Sequence, residues 1–296
     1  MVFNAQPEHG GPHKMNPLFF RIIRAFSPAL LLLALVAAPP EKAQADDSTL
    51  PAPLAQAEPL LLQAGQSALP TIWIAGDSTA AKGPPTATGW GAPFSKMVDA
   101  SKVNVVNGAR GGRSSRTFVT QGLWDALLKE IKAGDWVLIQ FGHNDAGAVN
   151  DVSRARGSLR TIGDETEQIH NLLTKKPETV HSYGWYLRKL ITETKAKGAT
   201  PVVLSLTVRN EWKDGKVERR NGPWNDLAEE TARSSGVAFL HLTERIADAY
   251  DKLGPEKVKV FFPKDHTHTG ADGAALTAQL LLEALRSLRT PGTSGT

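Results

Sequence analysis

Five short runs of apolar, β-prone residues recur along the chain, and segments of helical periodicity separate them. The runs span residues 71–75, 103–106, 136–141, 202–206 and 237–240. Continuous apolar runs of this length are typical of strands buried on both faces, as in parallel sheets. Strands that alternate with helices predict a parallel α/β sheet with right-handed crossovers. In such a sheet an active site forms at the carboxyl ends of the strands.

Two of the intervening segments carry helical signals with defined ends. The first runs from about residue 179 to 197, with Gly198 placed as a C-cap. The second follows Pro223 at a first-turn position and stops at Gly236. The stretch 142–178 is polar and charged, and we expect it to be an insertion over one side of the site.

The N-terminal region predicts export. Residues 25–38 are apolar, follow Arg21 and Arg24, and are too short for a comfortable membrane span. We interpret residues 1–45 as a signal peptide, with Met15 as an alternative start. The competing interpretation is an uncleaved membrane anchor. Cleavage would release the protein to the periplasm or the cell exterior, with no stable membrane association.

The remainder of the chain is expected to form one domain between two flexible ends. Residues 46–69 are rich in Ala, Pro and Gln without periodicity, which is typical of a flexible leader. We assign 70–290 to a single catalytic domain and 291–296 to a flexible tail.

Composition excludes several classes of protein. The chain has 34 basic and 30 acidic residues; without the first forty-five positions, which hold four basic and two acidic residues, they number 30 and 28. This near-neutral body argues against a nucleic-acid partner, which normally requires a concentrated basic face. The sequence has no cysteine. A cysteine nucleophile, a lipid-modified cysteine and thiolate metal sites are therefore excluded.

A serine directly follows the first predicted strand, in the tetrapeptide GDST at 76–79. Ser78 would lie on a tight turn just past a strand's carboxyl end, where a nucleophile is exposed. Taken alone, such a serine is more often a helix cap or a turn residue.

Near the other end of the chain, the sequence DHTH at 265–268 precedes the last predicted helix. An aspartate three residues before a histidine in one turn can accept the imidazole Nδ1 proton and leave Nε2 facing a serine. We interpret His266 as a surface or supporting residue. A metal site formed by Asp265, His266 and His268 is an alternative, although its spacing matches no strong zinc pattern.

Two further strand ends carry candidate donors for an oxyanion. The glycine-rich stretch 107–114 follows the second strand, and its backbone amides can approach a substrate closely. Asn144 follows the third strand, and its side-chain amide can donate. Together with Ser78, these residues form a constellation at three successive strand ends.

The blocks GDST, GGRS, FGHND and DHTH, in this order, resemble those of the SGNH (GDSL) hydrolases. The longer blocks AGDSTAAK, GWG, VVNGARGGRSSRTF, FGHNDAG and FPKDHTHTGADGA resemble rhamnogalacturonan acetylesterases more narrowly. The resemblance implies a flavodoxin-like three-layer α/β/α sandwich with a five-stranded parallel sheet and no cofactor. The segment 157–186 has no obvious counterpart in the simplest SGNH enzymes.

Residue by residue, the resemblance implies Ser78 as nucleophile, with Asp265 and His268 completing a catalytic triad. It implies an oxyanion hole formed by the Ser78 amide, the Gly112 amide and the Asn144 side chain. Gly111 is the neighbouring alternative, because only the register of GRS selects Gly112.

The function expected from these residues is removal of O-acetyl groups from a plant cell-wall polysaccharide, most readily pectic rhamnogalacturonan. Arg113, with Arg110, Arg116 and Lys264, either contacts galacturonate carboxylates or belongs to a salt-bridged surface. Trp212 either stacks on a sugar ring or packs beneath the insertion.

Two other functions compete with this one. An SGNH esterase or lipase acting on acetylated xylan or acyl chains would share the triad, but a lipase needs an apolar groove and the loops here are polar. A non-catalytic carbohydrate-binding protein would have no use for a serine, a histidine and an aspartate in these positions.

Overall fold

The structure is a computed structural model that describes residues 69–219 and 222–289. The predicted signal peptide (1–45), all but the last residue of the predicted leader (46–69) and the predicted tail (291–296) lie outside the described residues. In the part of the chain that the structure describes, no helix combines the length and the apolar character needed to cross a membrane.

Nine strands and eight helices follow one another in the described ranges. In chain order they are β1 (Thr71–Gly76), α1 (Gly91–Met97), β2 (Asn104–Asn107), α2 (Ser115–Thr120), α3 (Leu123–Glu130), β3 (Trp136–Gln140), β4 (Thr166–Asn171), β5 (Lys176–His181), α4 (Tyr183–Ala196), β6 (Thr200–Leu204), β7 (Trp212–Lys213), β8 (Lys216–Val217), α5 (Trp224–Ser234), β9 (Ala238–Leu240), α6 (Leu242–Leu253), α7 (Pro255–Lys259) and α8 (Ala271–Arg289).

The central sheet has five strands in the order β2-β1-β3-β6-β9, and every neighbouring pair is parallel. These are the five strands predicted from the apolar runs. β1 lies in the interior of the sheet, with β2 on one side of it and β3 on the other, so the side on which strands are added switches between β2 and β3. Loops from β1, β2 and β3 therefore emerge side by side at the carboxyl edge, at a topological switch point.

Helices cover both faces of the sheet, and alternate residues of β1 show why. Ile72 and Ile74 belong to one buried cluster, which includes Phe94 of α1 and Leu281 of α8. Trp73 and Ala75 face the opposite cluster, which is formed with α2, α4 and α5. Because successive strand residues point to opposite faces, a run that is apolar throughout requires two covering layers. The three-layer α/β/α sandwich is confirmed.

The helix predicted over residues 179–197 begins later than expected. Residues 176–181 form β5, which pairs antiparallel with β4, and α4 begins at Tyr183. The Ser182 side chain caps this helix by accepting a hydrogen bond from the backbone amide of Trp185 at 2.9 Å. Val180 fits the apolar stripe of the predicted helix, but its backbone pairs with Glu167 across the hairpin, so it belongs to β5 rather than to α4.

The helix ends agree with the glycine signals. Gly198, which follows the C-cap of α4, has a φ of 73°, and Gly236, which follows that of α5, has a φ of 60°. Both lie in the left-handed region that glycine enters without a Cβ penalty. Pro223, predicted at a first-turn position, is the N-cap residue and immediately precedes the first residue of α5.

The polar stretch predicted as an insertion contains the β4–β5 hairpin, and a buried arginine anchors it to the sandwich. Arg116 of α2 is fully buried, and its Nε donates to Glu178 of the hairpin at 2.8 Å. Its NH1 donates to the carbonyl oxygens of Val149 and Gly157 at 2.6 and 2.7 Å. Of the two interpretations given to Arg116, the structure supports the salt-bridged one, and this side chain is not available to a ligand.

Replacing Arg116 should therefore loosen the hairpin and lower global stability. We expect Arg116→Met to reduce the free energy of unfolding by about 3 kcal/mol, since Glu178 and two buried carbonyls lose their main donor. Urea unfolding followed by circular dichroism measures this loss. Arg245→Met on the exposed surface of α6 is the matched control and should change stability by less than about 0.5 kcal/mol. Equal effects of the two substitutions would contradict the anchoring role.

Candidate active site

The loop that follows β1 holds Ser78 at the carboxyl edge of the sheet. Asp77 organises this turn, because its Oδ1 accepts from both the backbone amide and the hydroxyl of Thr79 at 2.8 Å. Gly76 leaves little room for a side chain, since a Cβ there would lie 3.2 Å from the carbonyl oxygen of Gln140. The tight turn leaves Ser78 partly exposed between buried neighbours.

The loop before α8 brings a histidine and an aspartate to this serine. The Nδ1 atom of His268 lies 2.8 Å from Oδ2 of Asp265, and its Nε2 lies 2.9 Å from Oγ of Ser78. The other Asp265 oxygen accepts from the backbone amides of Thr267 and His268, both at 2.8 Å. The structure thus brings the three side chains of the predicted triad into one hydrogen-bonded chain from Asp265 through His268 to Ser78, referred to below as the relay.

Two hydrogen bonds between Thr269 and Thr88 hold the loop of the relay in place, and hydrogen bonds to Asp265 keep its carboxylate ionised. Thr269 is paired with Thr88, its carbonyl accepting at 2.8 Å and its hydroxyl donating at 3.0 Å. Partial burial acts to raise the pKa of Asp265, but hydrogen bonds from His268 and Thr267 outweigh it and lower the pKa to about 2. The carboxylate is therefore ionised whenever the imidazole accepts a proton near neutral pH.

The predicted oxyanion donors share a cavity with the serine hydroxyl. Gly112 and Asn144 line the same cavity as Ser78 and His268. The Asn144 amide nitrogen donates one hydrogen to the Arg113 carbonyl at 2.8 Å, which orients the amide and leaves its second hydrogen for a ligand. Within residues 69–219 and 222–289, the backbone amides of Ser78 and Gly112 donate to no protein group. Gly112 has a φ of 75°, which explains a glycine at this position.

A buried carboxylate joins the loops that carry these donors. Asp145 accepts from the amide of Ser115, at the start of α2, and from the hydroxyl of Ser158 at 2.8 Å. Burial raises the pKa of Asp145 to about 6, against the opposing effect of the hydrogen bonds from Ser115 and Ser158. Asn144 is its direct neighbour, so the network fixes the position of the amide donor.

The cavity beside Ser78 has a volume of about 460 Å³, and arginines form much of its wall. Arg113, which was predicted as a substrate contact, lines it, and its guanidinium donates to Gln121 at 2.9 Å and to the Gly111 carbonyl at 3.0 Å. Arg154 and Arg156 also line it, and the sequence analysis missed both. The sequence shows two arginines separated by one alanine, but it does not show that they line the cavity, because their position depends on how the insertion folds.

Other predicted contacts lie elsewhere. Trp212 is in β7, partly buried against the core, with its indole nitrogen donating to Asn210 at 2.8 Å. It does not line the described cavity beside Ser78, and it packs against the core cluster that includes Val217 rather than against the β4–β5 hairpin, so neither of its two interpretations is supported. His266 faces Glu211 at 3.4 Å rather than Asp265 or Ser78. Among the described residues, no three His, Asp or Glu side chains cluster as metal ligands.

Comparison with known families gives the same assignment as the fold and the site. Residues 74–276 match the model of the GDSL-like lipase/acylhydrolase family. The chain belongs to this family, and it is a carboxylic ester hydrolase of the GDSL (SGNH) type.

Individual proteins of known name or structure are similar to this chain over most of the described domain. A rhamnogalacturonan acetylesterase of Emericella nidulans is 34% identical over 216 residues, which cover 73% of this chain and 84% of the relative. The rhamnogalacturonan acetylesterase RhgT of Bacillus subtilis is 29% identical over 238 residues, covering 74% and 91%. A crystal structure of the Bacillus subtilis protein YxiM superposes with a TM-score of 0.61 at 24% identity. That comparison covers 77% of this chain and 58% of YxiM, and it supports the fold.

The raised pKa of Asp145 predicts a pH-dependent stability. Because its folded-state pKa of about 6 exceeds the ordinary 3.8, the stabilising contribution is complete below about pH 4 and is lost as the pH rises through 6. Between pH 5 and 7.5, wild type should lose about 1 kcal/mol more unfolding free energy than Asp145→Asn. Urea titrations at both pH values measure the difference. The exposed Asp125→Asn should follow wild type; identical pH profiles for all three proteins would contradict the assignment.

Proposed function

We propose that the chain removes O-acetyl groups from a pectic polysaccharide of the rhamnogalacturonan type through an acyl-enzyme formed on Ser78. The observation that carries this proposal is the relay from Asp265 through His268 to Ser78, with contacts of 2.8 and 2.9 Å at the floor of a polar cavity. A serine whose hydroxyl contacts an imidazole that is itself oriented by a carboxylate has the geometry of an activated nucleophile.

In the acylation step, Ser78 Oγ attacks the acetyl carbonyl carbon while His268 Nε2 takes the hydroxyl proton. The carbonyl π-electrons move to oxygen, and the resulting oxyanion accepts from the amides of Ser78 and Gly112 and from the Asn144 side chain. Each such donor contributes on the order of 3 kcal/mol to transition-state stabilisation. The intermediate collapses when His268 returns the proton to the departing sugar oxygen, which leaves an acetylated serine and a free sugar hydroxyl.

Deacylation repeats these steps with water. His268 takes a proton from the water as it attacks the acetyl carbon, the same donors stabilise the second oxyanion, and the proton returns to Ser78 Oγ as acetate departs. Asp265 remains ionised throughout, in agreement with the low pKa that its hydrogen bonds produce, and it stabilises the imidazolium that forms in each half-reaction.

Relatives and the cavity wall together support a polysaccharide acetyl ester as substrate. Two relatives with most of their length matched are named rhamnogalacturonan acetylesterases. Among the described residues that line the cavity, Leu173 alone has an aliphatic side chain. The others are polar, charged or glycine. A site for long acyl chains needs an apolar groove, so this wall disfavours a lipase.

We further infer that the enzyme acts outside the cytoplasm. A polymeric cell-wall substrate cannot enter the cell intact, and the apolar segment 25–38 behind two arginines is typical of a secretory signal. Natural partners other than the polysaccharide are not required by this proposal.

Ser78→Ala tests the mechanism. The variant should fold normally and lose at least about four orders of magnitude of kcat on p-nitrophenyl acetate and on acetylated pectin, since only binding and oxyanion stabilisation remain. Ser101→Ala, on an exposed turn far from the relay in the chain, should retain full activity. Substantial activity in Ser78→Ala would assign the reaction to another nucleophile.

Substrate class has a separate test, in which acetate release is measured from acetylated rhamnogalacturonan and acetylated xylan over a range of salt concentrations. The xylan is a neutral one without glucuronic acid side groups, so the pectic substrate should be hydrolysed faster, because arginines line the cavity and only the pectic substrate carries carboxylates. The preference should shrink as salt rises, with a Debye length of about 10 Å at 0.1 M. Equal, salt-independent rates would leave an acetylesterase without a pectic preference.

A further inference from the structure

A second cavity continues from the one beside Ser78 and runs between α2 and the β4–β5 hairpin. It has a volume of about 310 Å³. Four side chains line both cavities, namely Thr117, Gln121, Arg154 and Leu173, so the two form one groove. A groove that extends beyond the reacting group suits a polymer, whose neighbouring residues must also be accommodated.

Arg154 stands where the two cavities meet, and its charge is unpaired. Its side chain is exposed, and among residues 69–219 and 222–289 it makes no hydrogen bond or ion pair. Neighbouring Arg156 differs, because its NH1 donates to the Gly112 carbonyl at 3.2 Å. Burial lowers the pKa of Arg156, and the nearby Arg154 cation adds to this effect. The carboxylates of Asp77, Asp145 and Asp151 also attract its charge and act to raise its pKa.

The backbone holds Arg154 in this position at a conformational cost. Asp151 accepts from the backbone amides of Ser153 and Arg154 at 2.6 and 2.7 Å, and from that of Ala155 at 3.1 Å. Ala155 is buried and has a φ of 40°, in the left-handed region that residues with a Cβ seldom adopt. Strained residues of this kind persist only where surrounding contacts enforce them, and they concentrate at ligand-binding sites.

The charges around the second cavity favour an anion. Its acidic residue, Glu178, is already engaged by Arg116 at 2.8 Å and by Asn171. Lys176, at the start of β5, adds an exposed cation to the same wall. Arg154 and Lys176 therefore face the second cavity without a carboxylate that neutralises them.

We propose that the second cavity is a subsite for a uronic-acid residue of the same polysaccharide chain, beyond the acetylated sugar, with Arg154 as its carboxylate-binding residue. This proposal rests on the proposed function and extends it to a particular subsite. A guanidinium can hold a carboxylate through two parallel hydrogen bonds, and a neutral sugar at this position would leave the cation without that partner. Arg154 then determines specificity without touching the reacting acetyl group.

The test compares acetylated rhamnogalacturonan oligosaccharides with the same oligosaccharides after conversion of their carboxylates to primary amides. In Arg154→Gln, the KM for the acidic substrate should rise about tenfold, as expected for loss of a charge-assisted hydrogen bond, while kcat changes little. The KM for the amidated substrate should rise much less. Lys176→Gln should show the same pattern at smaller amplitude, and Arg245→Gln on α6 should match wild type. Thermal melting verifies that each variant is folded.

A binding measurement separates this proposal from the proposed function. Oligogalacturonate without acetyl groups is titrated into Ser78→Ala and into the double variant Ser78→Ala/Arg154→Gln by calorimetry, and the second protein should bind about tenfold more weakly. If wild type releases no acetate from pectic substrates but binding depends on Arg154, the assigned reaction is wrong and the subsite stands. If acetate is released but neither the KM ratio nor the binding depends on Arg154, the subsite is wrong and the assigned reaction stands.

Discussion

The hydrogen bond between His268 Nε2 and Ser78 Oγ joins loops that lie 190 positions apart in the chain. It forms because the sheet is parallel and Ser78 follows a strand in the interior of that sheet, so its turn opens at the edge where the other strands also end. The loop before α8 reaches this edge and is pinned there by the pairing of Thr269 with Thr88. The predicted oxyanion donors and the arginines of the groove line the cavity into which this contact opens.

Two buried charged groups hold the surrounding loops to the same scaffold. Asp145 joins the start of α2 to the loop that carries Asn144, while Arg116, also on α2, anchors the β4–β5 hairpin. Burial of such groups is costly unless their hydrogen bonds are satisfied, and Asp145 shows the cost as a raised pKa. The short helix α2 thus connects the loop of Asn144, a predicted oxyanion donor, with the hairpin that forms one wall of the groove. Substitution of Asp145 or Arg116 should therefore affect the stability of the fold more than the reaction at Ser78.

Much of the fold could be predicted from the sequence, because runs such as 71–75 are apolar on both faces and allow only a covered parallel sheet. Ser78 and His268 could be found because each lies in a short block beside a predicted element, Ser78 after the first strand and His268 before the last helix, where local sequence determines position. The β4–β5 hairpin could not be found, since 142–178 lacks a clear period and Val180 fits a helical stripe as well as a strand. The burial of Arg116 and the exposure of Arg154 depend on how that insertion packs, and composition cannot distinguish two arginines by their surroundings.

Covalent trapping shows most directly whether the contact with His268 makes Ser78 the reacting nucleophile. A fluorophosphonate ester is incubated with wild type and with His268→Ala, and the modified residue is located by peptide mass spectrometry. We expect stoichiometric labelling of Ser78 in wild type and labelling slower by several orders of magnitude in His268→Ala, because the hydroxyl then has no base. Labelling at a different serine, or labelling of Ser78 at the same rate in both proteins, would contradict it.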